Sequence, residues 1–167
     1  MYSLEQSGDK RRKAIPEPLS LTVSLRGSYE ALENCQVFRL TGLLDAFSEP
    51  VFVKVVTKHL EEGSPNLILD LTGIDFIDSS GVGALVQLAK LVQGRGGIFQ
   101  VVSNPRITQT VKLVRLEKFL ALRNSLQEAL GYLAAESKRH AEQSSPAPEG
   151  GSEAASSSLE KPEGEAS

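Results

Sequence analysis

Leu67-Ile68-Leu69 runs without a polar interruption between Asn66 and Asp70. A strand that is apolar at consecutive positions has to be covered on both faces, which is the habit of parallel strands in α/β proteins. The flanking segments offer that cover. Ser48 stands as a helix N-cap, Pro50 fits the first turn, and Phe52, Val55, Val56 and Leu60 recur at helical spacing until Gly63-Ser64-Pro65 ends the helix. On the other side Val82, Leu85, Val86, Ala89 and Val92 form a second helical stripe, closed by Gly94, Gly96 and Gly97.

The rest of the chain extends this alternation. Leu19, Leu21, Val23 and Leu25 alternate with Ser20, Thr22 and Ser24, predicting a first strand, with a polar turn at Gly27-Ser28 before a second strand over 36–41. Residues 98–102 predict another strand, Asn104-Pro105 caps a short helix through Ile107, Val111 and Val114, and residues 119–122 predict a last strand. Ser125 and Glu128 have capping-box spacing ahead of a final helix. The order β-β-α-β-α-β-α-β-α implies an α/β domain with a mixed sheet: a hairpin first, then parallel strands joined by right-handed crossovers.

That domain is expected to span residues 19–137 of the 167. Residues 1–18, with two prolines and the run Lys10-Arg11-Arg12-Lys13, read as a flexible arm. Residues 138–167 hold six acidic and three basic side chains and, from Ala141 on, one large apolar residue, Leu159. Such composition cannot offset the entropy of ordering, so a disordered acidic tail is expected. The net charge of −3 and only nine aromatic residues build no positive surface for nucleic acid. No apolar run approaches the 18 or so residues that cross a bilayer, and no apolar stretch follows the basic cluster as in a secretory signal. With one cysteine, Cys35, an internal disulfide is impossible. A cytoplasmic protein is the expectation.

Catalytic groups are sparse. His59 and His140 are the two histidines, and neither lies in a cysteine–histidine cluster of the kind zinc needs. Ser79 and Ser80 sit at a strand-to-helix turn, yet neither has the glycine two positions earlier that a nucleophile elbow requires. Gly81-Val82-Gly83 begins like a dinucleotide fingerprint, but Val86 occupies the place of its third glycine. Asp70, Asp75 and Asp78 match no metal loop. The chain is therefore expected to be no enzyme, with no cofactor and no metal.

Asp78-Ser79-Ser80-Gly81 is more than a cap needs, since one of the first three residues would suffice. Ile77-Asp78-Ser79-Ser80-Gly81-Val82-Gly83-Ala84-Leu85, following Leu67-Ile68-Leu69-Asp70-Leu71, resembles the signature of the STAS domain, in particular that of bacterial anti-sigma factor antagonists. Leu40-Thr41-Gly42-Leu43-Leu44-Asp45, Gly96-Gly97, Asn104-Pro105 and Ser125-Leu126-Gln127-Glu128-Ala129-Leu130 are similar to that family in the same order, so the likeness spans residues 19–135. It implies that Ser79 is phosphorylated by the partner, an anti-sigma factor that is itself a serine kinase using ATP, and that a PP2C-type phosphatase reverses the change. It also implies that Asp45, Asp78, Ser79, Ser80 and Gly81 lie at the partner contact. Leu43 departs from the family, which often has an acidic residue there, and this bears on which partner is chosen. A different role on the same fold, as a scaffold in a stress-response or lipid-transport assembly, would not need the serine as a switch.

Phosphate at Ser79 would add about −1.5 to −2 charges beside Asp75 and Asp78, at a helix N-terminus that tolerates anions. The fold is expected to survive and the partner to be released. Ala84, Leu88 and Leu91 form a second apolar stripe nearly opposite the first on that helix. A helix apolar on two sides is either buried twice or open to a partner. The expectation taken here is that Ala84 and Leu88 help grip the anti-sigma factor.

Overall fold

The computed structural model describes residues 15–144, with side-chain surroundings as far as Arg139. The chain divides after Ala129 into two compact units. The first holds a six-stranded sheet in which neighbours in sequence are neighbours in space: β1 (Glu17–Pro18), β2 (Leu25–Ala31), β3 (Gln36–Leu44), β4 (Leu67–Ile77), β5 (Phe99–Val102) and β6 (Leu122–Arg123). β1, β2 and β3 pair antiparallel, and β3 to β6 run parallel. Helices α1 (Glu49–Glu62), α2 (Ser79–Gly94) and α3 (Pro105–Leu113) make the crossovers between parallel strands. The last helix, α4 (Leu126–Ser144), begins in the first unit and supplies the described part of the second.

The central strand behaves as its composition requires. Leu67, Ile68, Leu69 and Leu71 are all buried, and Leu67, Leu69 and Leu71 join Phe52, Val56 and Leu60 of α1 and Leu85, Ala89 and Val92 of α2 in one core. Asn104 accepts the Ile107 N–H at 2.8 Å as the N-cap of α3, and its amide nitrogen donates to the Leu71, Thr72 and Ile74 carbonyls, which joins α3 to the irregular middle of β4. At α4 the Glu128 N–H donates to Ser125 Oγ (3.0 Å), while Glu128 Oε1 accepts from Asn124 N–H (2.9 Å).

The expected first strand is displaced. Residues 19–24 precede β2, and Val23 is 94% exposed. Thr22 explains the shift: its hydroxyl accepts the Leu25 N–H and its own N–H donates to the Leu25 carbonyl, a local turn that competes with the ladder. Gly27 and Ser28 then fall inside β2, opposite Leu40 and Arg39, and the hairpin turns at 32–35, where the Leu32 N–H donates to the Cys35 carbonyl. β4 runs past Leu71 to Ile77, and the last strand is confined to Leu122–Arg123. α4 continues to Ser144, beyond the boundary expected at 137, because Lys138, Arg139, Ala141, Glu142 and Gln143 are good helix formers. The basic cluster at 10–13 and most of the expected acidic tail lie outside the described residues.

Candidate functional site

The carboxyl ends of β3 and β4 lie side by side, with Leu44 opposite Ile77. In a parallel sheet this is the edge from which helices depart, and both strands turn here into helices. After β3, Asp45 folds the chain back on itself: its Oδ1 accepts the N–H groups of Phe47 and Ser48, each at 3.1 Å. Ser48 occupies the N-cap position of α1 but makes no side-chain cap. Its buried hydroxyl donates instead to the Leu43 carbonyl (2.9 Å) and accepts the Asp45 N–H (3.1 Å). The loop is thus held internally, and Phe47 is left 74% exposed at its tip.

After β4, Asp78 caps α2 in extended conformation. Its Oδ1 accepts the Gly81 N–H (3.0 Å), while Oδ2 accepts the Ala46 N–H (3.3 Å). One carboxylate therefore fixes the start of α2 and joins it to the Asp45 loop. Gly81 is what lets the helix come so close: a Cβ there would stand 2.3 Å from the Leu44 carbonyl oxygen. Gly42 is constrained too, with φ of +109° and no room for a side chain against Ser24 O.

This places Asp45, Asp78, Ser79, Ser80 and Gly81 together. Ser79, the first residue of α2, is exposed and Ser80 is half-buried; neither hydroxyl is engaged by a hydrogen bond among the described residues. The N–H groups of a helix's first turn have no carbonyl within the helix to meet, so the Ser79 hydroxyl stands beside free donors at the positive end of the dipole. That corner can carry an added anion without loss of internal bonding. Asp70 is engaged elsewhere, accepting the Thr72 N–H and hydroxyl. No group of three or more His, Cys, Asp or Glu is placed to hold a metal ion among the described residues. No helix among them is long and apolar enough to cross a membrane.

Ala84 and Leu88 do not belong to the surface. They are 2% and 0% exposed and sit in the core with α1, so the expectation that they touch a partner is corrected: α2 is covered on that side by its own fold. The exposed stripe of α2 is Ser79, Gly83, Gln87 and Lys90, with Val86 half-buried beside it. A second feature was not anticipated. Val114, assigned to the buried stripe of α3, lies just past that helix and is 51% exposed, and Leu113 is 78% exposed. With Val82 and Val86 they line an apolar groove of about 480 Å³ that has Asp78 and Ser79 on its rim. The available signal was the mixture of apolar and basic residues in Lys112-Leu113-Val114-Arg115-Leu116.

Similarity to known proteins converges on this arrangement. A protein of Thermotoga neapolitana named "Putative anti-sigma factor antagonist TM1081 homolog" is 27% identical over 104 residues, 61% of this chain and 92% of that one. Two solved structures share the fold. An anti-sigma factor antagonist from Mycobacterium paratuberculosis matches with a TM-score of 0.62 and 23% identity, over 70% of this chain and 99% of that one. The anti-sigma factor antagonist SpoIIAA in its unphosphorylated form matches with a TM-score of 0.52 and 17% identity, over 72% and 97%. Residues 28–129, which run from β2 into the first turn of α4 and include the whole Asp78–Gly81 corner, match the STAS domain family, and the chain belongs to it.

Proposed function

We propose that this chain is an anti-sigma factor antagonist whose unmodified form binds an anti-sigma factor and so frees a sigma factor. The partner is a serine kinase that uses ATP, it phosphorylates Ser79, and a PP2C-type phosphatase restores the hydroxyl. The site of action is the cytoplasm, where ATP and sigma factors are found. The observation that carries this reading is an exposed, unengaged hydroxyl at the N-terminus of α2, fixed by a cap that another residue, Asp78, already provides. If Ser79 served only to start the helix, its side chain would be the one bonded to Gly81.

The switch works through charge. A phosphoserine brings about −1.5 to −2 charges and three acceptor oxygens. The free N–H groups of Ser79 and Ser80 accommodate them within the fold. A partner surface fitted to a neutral hydroxyl meets repulsion and desolvation instead, and like charges in a closed contact cost several kcal/mol. Asp45, Asp78, Ser79 and Ser80 form the contact, with Gly81 holding the two strand ends together beneath it.

The test is calorimetric titration of a purified anti-sigma factor kinase into the wild-type chain and into Ser79→Ala and Ser79→Asp. The alanine form should bind as the wild type does and the aspartate form should fail. Equal binding by both variants would falsify the switch.

A further inference from the structure

The groove beside Ser79 has a cationic far wall. Residues 105–118, comprising α3 and the turn after it, carry Arg106, Lys112, Arg115 and Lys118 against the single carboxylate of Glu117, in a chain whose net charge is −3. Two residues along the groove also break local conformational preference. Gly83 is exposed in the interior of α2, where a Cβ would meet nothing within 4 Å, so no packing demands a glycine. Arg115 has φ of +60°, in the left-handed region. It follows the C-cap of α3, with the Leu116 N–H donating to Val111 O (3.1 Å) and the Arg115 N–H to Lys112 O (3.0 Å). That pattern ordinarily takes glycine. Departures of this kind gather where a surface serves binding.

We infer that this groove receives an acidic amphipathic helix of the anti-sigma factor, its apolar face on Val82, Val86, Leu113 and Val114 and its carboxylates toward Lys112 and Arg115. The inference rests on the function proposed above and specifies the chemistry of the partner. Gly83 leaves room for the helix to approach α2, and an amphipathic helix in an apolar groove is a common mode of peptide recognition. The arrangement also accounts for the sign of the switch. Phosphate on Ser79 stands on the rim opposite the cations, beside Asp78, and repels a ligand that is itself acidic.

The test uses the full chain and three fluorescein-labelled synthetic helical peptides. One has leucine on one face and glutamate on the other; its twins carry lysine for each glutamate, or glutamine for each leucine. In fluorescence anisotropy the glutamate–leucine peptide should bind at least about ten-fold more tightly than either twin. Arg115→Glu combined with Lys112→Glu should reverse the order of the glutamate and lysine peptides, and Leu113→Gln should weaken all binding. Thermal melts confirm that these variants are folded, since all three side chains are exposed. Equal or tighter binding of the lysine peptide to the wild type would overturn the inference. So would binding to none of the peptides together with sedimentation of the chain on phosphatidylglycerol vesicles, which would assign the groove to a membrane surface. The two proposals fail separately: loss of kinase binding in Ser79→Asp but not in Arg115→Glu removes the groove and keeps the switch, and the converse removes the switch and keeps the groove.

Discussion

On one side of α2, Ala84 and Leu88 are closed into the core with Phe52, Val56 and Leu60; on the other, Val82 and Val86 look across an open groove at Leu113 and Val114. The helix is apolar on both sides, so its sequence does not distinguish them. What distinguishes them is cover: α1 and the sheet seal the first side, whereas α3 ends before it can close the second. Apolar area left open beside an unengaged serine is the signature of a surface kept for another molecule, and stability and binding should separate along this division.

The largest effect belongs to the closed side. Leu88→Ala should cost about 3 kcal/mol by deletion of a fully buried side chain, whereas Leu113→Ala on the open side should stay within about 0.5 kcal/mol. Denaturant titration checks both, and equal losses would erase the distinction. Gly81→Ala should cost about 2 kcal/mol, because its Cβ must push the Leu44 carbonyl and the Ile77 side chain away. The same substitution two residues on, Gly83→Ala, should instead raise stability by about 0.8 kcal/mol through helix propensity alone. Opposite signs at two glycines of one helical turn, read from paired melting curves, would sharpen the contrast; a loss at both would break it. Ser79→Asp should shift stability least, a gain of about 0.5 kcal/mol from a carboxylate at the N-terminus of the dipole. A large destabilisation there would mean that the corner does not tolerate charge and that any loss of binding reflects misfolding.

A pH scan tests the interior independently. Cys35 is buried, and burial, followed by the charge of Glu30, pushes its thiol up to about 11. In the unfolded chain the thiol ionises near its ordinary value, about 8.5. Between those values the unfolded state holds fewer protons than the folded one, so stability should fall as pH rises from about 8.5 toward about 11. Cys35→Ala should flatten that part of the curve.

Much of the fold was legible because it depends on patterns that burial imposes. The consecutive apolar residues of β4, the helical stripe of α1 and the caps Asp78, Asn104 and Ser125 each have one physical solution, and the structure adopts it. The first strand was misplaced because alternation at 19–25 is as compatible with a turn as with a ladder, and the Thr22 hydroxyl decides between them. The serine corner was legible because its residues are contiguous. The open groove was not, because its walls come from two helices and its existence depends on where α3 stops. Val114 fits the spacing of the α3 stripe, yet the left-handed turn at Arg115 leaves it half exposed, and no periodicity in the sequence encodes that turn.

The most direct measurement is the affinity of a purified anti-sigma factor kinase for this chain before and after phosphorylation, with the modified residue located by mass spectrometry. The account predicts a single phosphate on Ser79, a native circular dichroism spectrum and binding weaker by at least about a hundred-fold, a difference of about 2.7 kcal/mol. Phosphate on another residue, or undiminished binding by the Ser79-phosphorylated chain, would contradict it.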